Sequence, residues 1–435
     1  MCQKNRIILF CLMAMPATPY SKAGAEASVD SGLAKQYFTE AKVISDQDAG
    51  ALWGVPLYGP MLFVDRATRA IIANQGDREG LLIERNGVFA GTLPEKENIA
   101  NTAVQWAGVK WTMIVWPLPG DENDRAALMA HELWHRIQAD IGLPASNPAN
   151  AHLDSAEGRI WLRLEWRALT AALAAASEPR RIAIADALLF RAHRRSLFSD
   201  SAREENGLEL NEGLAEYTGV KLSGRSVSAM VEHVRGKLLH QEQADTLMRS
   251  FAYASGPAWG LLLDESSPTW KKGLKPGDDL AATLQRALSI TLPPGSSNEA
   301  QTRAKHYDGD ALIAAERERD AKRRQRQAEL RARLVEGPVL RLPFRNMNIE
   351  FDPNNIESLD GVGSVYSSLR ITDQWGILTA SSGALIGKEW GWLQVPVARD
   401  SIDPPLRGDG WTLKLNDGWK PKPGARTGDW VLAPK

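Results

Sequence analysis

Residues 131–135 read His-Glu-Leu-Trp-His, and this run narrows the possible folds more than any other. Two histidines four apart face the same way on a helix, where they sit one turn apart and about 40° around the axis. So placed, both imidazoles can ligate one Zn2+, and Glu132 between them can act on a water held there. The flanking pattern suits this reading. Ala126, Ala127, Leu128, His131, His135 and Ile137 share a broad helical face that begins at about Asp124. The β-rich run Trp111–Trp116, stopped by Pro117-Leu118-Pro119-Gly120, precedes the helix, and Gly142 with Pro144 ends it.

The chain of 435 residues allows two or three domains. Residues 26–50 read as a polar helix or linker. Strand patterns follow at 57–65, 80–91 and 111–116, with turns at Gly76-Asp77 and Asn86-Gly87. Helical periodicity is expected over 156–177, 179–198, 209–221, 226–240, 243–264, 276–291 and 309–336. After Gly337 the pattern changes to short β runs, among them 339–342, 367–372, 390–397 and 411–415. Strands first and helices after predict an α+β fold in three parts: 26–118 with the first strands, a helical 119–336, and a separate β domain, 337–435.

The first 25 residues have the pattern of a secretory signal. Lys4 and Arg6 precede the apolar stretch Ile7–Met15, and Ala23-Gly24-Ala25 offers a cleavage site. This predicts an exported protein, periplasmic or secreted. Both cysteines, Cys2 and Cys11, lie in that segment. The mature chain would then have no thiolate ligand and no disulfide, and its fold must rest on a core. Removing the segment takes away three cations and no acids, so the formal charge goes from −1 to −4. Such a balance gives nucleic acid no bulk attraction. The Arg-rich stretch 317–333 interleaves acids and reads as a solvated helix with i,i+4 ion pairs. No later stretch is long and apolar enough for a membrane span. Fifteen Trp residues promise large aromatic anchors in the core or along a groove.

Two histidines need a third protein ligand to make an open zinc site. Position 141, where a third His would stand six residues past His135, is Ile141. Residues 210–217 read Leu-Asn-Glu-Gly-Leu-Ala-Glu-Tyr, and 253–258 read Tyr-Ala-Ser-Gly-Pro-Ala. In this order, after the His131–His135 motif, these segments resemble the Asn-Glu-Gly-Phe-Ala and Tyr-x-x-Gly-x-Ala segments of the aminopeptidase-N family of gluzincin zinc metallopeptidases. The resemblance implies a zincin-like catalytic domain with zinc on His131, His135 and Glu212. It also implies Glu132 as general base, Tyr253 as a donor to the oxyanion, and a peptide or protein substrate. It covers about 109–265. Asn211, a helix N-cap residue type, would start the helix that carries Glu212, and Glu216 or Glu165 could support a ligand histidine from behind. Glu165 could equally satisfy a buried arginine. The strand 111–116 would offer an edge for an extended substrate.

The chain departs from the family in two places. His135 and Glu212 are separated by 76 residues, so additional helices must fit between them. No Gly-x-Met-Glu-Asn segment, which holds the substrate amine in the family, precedes the zinc helix; Gly120-Asp121-Glu122-Asn123 is a superficial echo. Asp154 and Glu157, closer to His135, compete with Glu212 for the ligand role. His152, His193, His233, His240 and His306 lack metal spacing. A second functional class stays open: a zinc-stabilised exported binding protein without turnover, in which the β domain does the recognising.

Overall fold

The computed structural model describes residues 29–435 apart from 96, 245, 294–295, 353–354, 360 and 398–405. The expected signal segment, 1–25, lies outside the described residues. The fold is a mixed α+β one, in two compact units that meet between Ile313 and Ala314.

In the first unit, helix α1 (Ser31–Asp48) leads into strands β1 (Met61–Asp65), β2 (Ala70–Ala73), β3 (Ile83–Arg85), β4 (Val88–Thr92), β5 (Thr102–Trp106) and β6 (Val109–Trp116). They form one sheet in the order β3-β4-β2-β1-β6-β5, with β1 and β6 parallel and the other pairs antiparallel. Asn86 and Gly87 both take positive φ, 53° and 79°, the two-residue turn that matches strand twist. Every residue of β1 is buried. Met61 and Phe63 join the core that includes Phe38 of α1, and Leu62 and Val64 join a second cluster around Trp111. A strand covered on both faces reads as continuously apolar. The strands β2 and β5, partly exposed and without regular alternation, show no period of two.

Helix α2 (Glu122–Ile137) follows, capped by Asp121, whose carboxylate accepts from the Asp124 amide at 2.9 Å. Then come α3 (Ala156–Ala174), α4 (Ser177–Leu197) and α5 (Ser201–Leu208), which occupy the long gap. A π-helical turn, Glu209–Gly213, runs from α5 into α6 (Leu214–Leu222). Helices α7 (Val227–Gln241), α8 (Ser250–Ser266), α9 (Leu280–Ala287) and α10 (Ser296–Ala304) complete the unit. The expected helix at 243–264 begins only at Ser250, and 276–291 shrinks to α9.

Three glycines let the π-turn and α6 pack closely against α2 and α8. A Cβ on Gly256 would stand 2.3 Å from Gly213 Cα, and one on Gly219 would stand 2.6 Å from the Ala127 carbonyl oxygen. A Cβ on Gly260 would meet the Tyr217 ring at 2.3 Å. The insertion helices brace the same turn from the other side. Arg191 and Arg194 of α4 are almost fully buried, and Glu165 of α3 accepts from both, at 3.1 and 2.7 Å. Arg191 also donates to Glu209 at 2.9 Å, and Arg194 donates to Glu205 at 2.8 and 2.9 Å. Glu165 therefore satisfies buried arginines and supports no histidine.

In the second unit α11 (Gly309–Arg331) crosses the boundary and ends in a π-turn, Ala332–Glu336. The sequence pattern put the boundary at 337. It falls earlier because Leu330 and Leu334 bury against Leu359, Val365 and Leu385. Beyond the helix lie β7 (Val339–Pro343), β8 (Asn348–Phe351), β9 (Ile356–Leu359), β10 (Gly363–Tyr366), β11 (Leu369–Asp373) and β12 (Gly376–Ala380). They are followed by β13 (Ala384–Gly387), β14 (Trp392–Pro396), β15 (Leu406–Gly408), β16 (Trp411–Leu415), β17 (Trp419–Pro423) and β18 (Trp430–Pro434). They make a seven-stranded sheet, β17-β18-β7-β14-β13-β10-β9, and a five-stranded one, β15-β16-β12-β11-β8. Both contribute to one core, with Leu340, Leu393 and Val395 from the first and Ile371, Leu378 and Trp411 from the second. No helix among the described residues is long and apolar enough to cross a membrane.

The glycine contacts give a paired prediction. Gly256→Ala forces two backbones apart and should lower the unfolding free energy by about 1–3 kcal/mol. Gly236→Ala, on the exposed face of α7 with nothing within 4 Å of its Cβ, should raise it by about 0.5–1 kcal/mol. Chemical denaturation of both variants measures the contrast. Equal stabilities would mean that the close packing of α8 is not what holds it.

Candidate metal centre

Helix α2 aims His131, Glu132 and His135 into one cleft, and the π-turn brings Glu212 to the same place. The two Nε2 atoms stand 3.2 Å apart. Glu212 Oε2 lies 3.7 Å from the first and 3.4 Å from the second. Ligands about 2.0–2.1 Å from a tetrahedral ion are separated by about 3.3 Å, so the triangle has the size of one face of a zinc tetrahedron. Among the described residues this trio is the one cluster of His, Cys, Asp and Glu able to hold a metal.

Hydrogen-bond polarity places a proton on Nδ1 of both rings. His131 Nδ1 lies 3.0 Å from Glu216 Oε2. An ionised carboxylate only accepts, so Nδ1 carries the proton and a neutral ring presents a lone pair at Nε2. For His135 the constraint runs through a relay. Glu212 Oε1 accepts from Asn211 Nδ2 at 3.2 Å, which turns Asn211 Oδ1 toward Gln138 Nε2 at 2.8 Å. Gln138 Oε1 then faces His135 Nδ1 at 2.8 Å and must receive its proton. With both rings neutral, two nitrogen lone pairs and a carboxylate oxygen converge, the donor set a divalent cation takes. Both histidines also have the outer partner that ligand histidines need to hold their orientation.

Asn211 does not begin a helix, as its residue type suggested. The helical path already starts at Ser201, and the widened π-turn splays Glu209 toward Arg191 and Glu212 toward the cleft. Such turns occur often where a helix must re-aim a functional side chain. Glu216, one turn on, sits behind His131 and also accepts from Lys237 of α7. The outer oxygen of Glu212 meets Arg249 Nη2 at 3.5 Å, and Asn147 Oδ1 accepts from both Arg249 and Asn211 at 3.2 Å.

Charge at the site follows from these contacts. Burial disfavours an imidazolium at His131, but Glu212 and Glu216 outweigh it and push its pKa up to about 10. His135 is raised in the same way, against its own burial, mainly by Glu212. Glu212 would be raised by burial, yet the two histidines hold it well below the usual carboxylate range. Without a cation the triangle therefore keeps protons between its members, and a metal would take their place. Glu132 differs. Burial raises its pKa, it is 2% exposed, and its Oε2 has no hydrogen-bond partner.

Tyr253 of α8 stacks on His131, with ring centroids 5.8 Å apart and planes 6° off parallel. Its hydroxyl donates to Glu212 Oε2 at 2.6 Å. The phenol thus stands at the site, with its proton directed to the Glu212 carboxylate. The cleft, about 130 Å3, is completed by Asn101, Thr102, Ala103, Gln138, Ala145, Asn147 and Asn211. Of these the sequence pointed only to Asn211, and in another role. Gln138 was within reach, three residues past His135 on the same helix face.

The competing acids lie elsewhere. Glu157 accepts from Trp161 Nε1 at 2.9 Å, and Asp154, in a short 3-10 turn, does not line the cleft. His152 pairs with Glu205 at 2.8 Å, and none of the five other histidines joins the cluster. The strand 111–116 is no edge, since β6 lies between β1 and β5; the free edge beside the cleft belongs to β5, through Thr102 and Ala103. In comparisons with known proteins, no family model, no curated protein and no solved structure matches this chain.

Zinc affinity, measured by competition with a chromogenic chelator, tests the third ligand. Glu212→Ala should weaken binding at least about tenfold, while Asp154→Ala should leave it within about twofold. The reverse order would mean the carboxylate is misassigned.

Proposed function

We propose that the chain is an exported zinc-dependent peptidase with a zincin-like catalytic unit, in which Glu132 is the general base. The observation that carries this reading is the pairing of two features in one cleft: two imidazoles and a carboxylate spaced for a tetrahedral ion, and beside them a buried carboxylate with an unpartnered oxygen. A purely structural zinc site has use for the first feature and none for the second.

His131, His135 and Glu212 would hold the ion, leaving one position open. Bound there, Zn2+ supplies a water acidified toward neutral pH and polarises a carbonyl. Glu132 Oε2 receives a proton from the attacking water and delivers it to the departing amine, a task suited to a carboxylate whose pKa burial has raised. The Tyr253 hydroxyl, turning from Glu212, donates to the oxygen on which charge develops, a contribution of about 2.7–4 kcal/mol for one such donor in comparable sites. The free edge of β5 offers main-chain pairing to an extended peptide. Peptide as substrate class draws on that edge, on the amide and hydroxyl lining of the cleft, and on the likeness of 210–217 and 253–258 to gluzincin segments.

Glu132→Gln keeps the shape and removes the base. The variant should bind zinc with unchanged stoichiometry and lose at least about 100-fold in kcat/KM on a casein-derived peptide mixture. Full turnover in the variant would remove Glu132 from the reaction. Zinc binding in the native chain without any turnover would favour the alternative of a zinc-stabilised binding protein.

A further inference from the structure

Building on the hydrolase reading, we infer that the cleft takes the interior of a polypeptide and cuts between uncharged residues, so that the chain is an endopeptidase. The inference rests on which charges the cleft offers a substrate. Its lining contains two carboxylates, Glu132 and Glu212. Glu212 already serves the metal triangle, Tyr253 and Asn211, and Glu132 must exchange a proton with the reacting water. Glu216 is behind His131 and neutralised by Lys237. A substrate's terminal ammonium would thus meet no uncommitted carboxylate in the lining of the cleft. A terminal carboxylate fares no better, because Arg249 is engaged by Asn147 and Glu212 and Lys237 by Glu216.

What the cleft does offer is neutral. Asn101, Thr102 and Ala103 come from the start of β5, and Ala145 and Asn147 from the loop after α2. Amide, hydroxyl and methyl groups suit peptide N–H and C=O groups and small uncharged side chains. An unpaired chain end drawn into such a place loses its hydration with no partner to replace it. The free edge of β5 runs on from Ala103 to Trp106. That gives room for about four further substrate residues in the extended conformation on one side of the reacting bond.

The test uses the zinc-loaded full chain and a quenched fluorescent decapeptide of Gly, Ala, Ser and Asn in four forms: free, N-acetylated, C-amidated, and blocked at both ends. Glu132→Gln serves as the blank, and products are mapped by mass. The doubly blocked peptide should be cut at an internal bond with kcat/KM within about threefold of the free one, since no end is read. A loss of more than about 30-fold on acetylation, with stepwise release of N-terminal residues, would overturn the inference in favour of a site that reads the amine. The same loss on amidation would overturn it in favour of one that reads the carboxylate. If no form is cut above the blank while zinc stays bound, the hydrolase reading falls and takes this inference with it.

Discussion

Gly213 and Gly256 place two stretches of main chain closer than any side chain would permit. A Cβ on Gly256 would fall 2.3 Å from Gly213 Cα, and the rest of the cleft follows from that contact. Glu212 precedes Gly213, and Tyr253 is one helical turn before Gly256, so the contact delivers the phenol to the carboxylate. It also slides Tyr253 over His131. On the far side Gly219 rests on the Ala127 carbonyl one turn ahead of His131, which fixes α6 against the helix bearing both histidines. The small residues of the Asn-Glu-Gly and Tyr-x-x-Gly segments therefore have a packing role that sets where their polar neighbours stand.

This explains which parts of the site were legible in the sequence. His131, Glu132 and His135 are read from one period of one helix, a local fact. Glu212 and Tyr253 required the likeness of two distant segments, because nothing local ties residue 212 to residue 131. The tie is tertiary, through glycines whose lack of a side chain is silent in a hydrophobic pattern. The π-turn was equally silent. Its effect is to add a residue within one turn, and a period of 3.6 simply appears to continue through 209–221. Asn211 was misjudged for that reason: an Asn ahead of an apolar run looks like a helix start, whereas here it is a link between Gln138 and Glu212. Likewise β6 looked like an accessible strand because its apolar richness does not say which neighbour lies outside it, and the brief, mixed β5 took the edge.

Three carboxylates surround the two imidazoles, Glu132 and Glu212 in the cleft and Glu216 behind His131, with Lys237 beyond it. With no ion present these carboxylates hold protons on the histidines in spite of their burial, Glu212 and Glu216 at His131 and mainly Glu212 at His135. A divalent cation would perform the same balancing with the rings neutral, and it would restore the lone pairs that the Glu216 and Gln138 contacts aim inward. The outer contacts are thus compatible with both states, and only the inner protons must leave. That is the economy of putting the hydrogen-bond acceptors on the Nδ1 side: the ring orientation is settled before any ion arrives, so binding need not order it.

The insertion between His135 and Glu212 has a physical purpose in this arrangement. A π-turn is a poor helix on its own, with weaker geometry than the α-turns flanking it, and here it must also point two glutamates in different directions. Arg191 takes Glu209, while Arg194 bridges Glu165 of α3 to Glu205 of α5. Buried ion pairs of this kind add little net stability, because the desolvation they require offsets their attraction. Their contribution is positional. Each guanidinium has two or more carboxylate oxygens at hydrogen-bond distance, and Glu205 is held well below the usual carboxylate range by Arg194 and Arg195 in spite of its burial. A shifted register would leave these charges buried without partners, a far larger penalty than the pairs are worth when formed. The helices α3 and α4 therefore act as a clamp that admits one register of the chain at Glu209, and through it one position for Glu212.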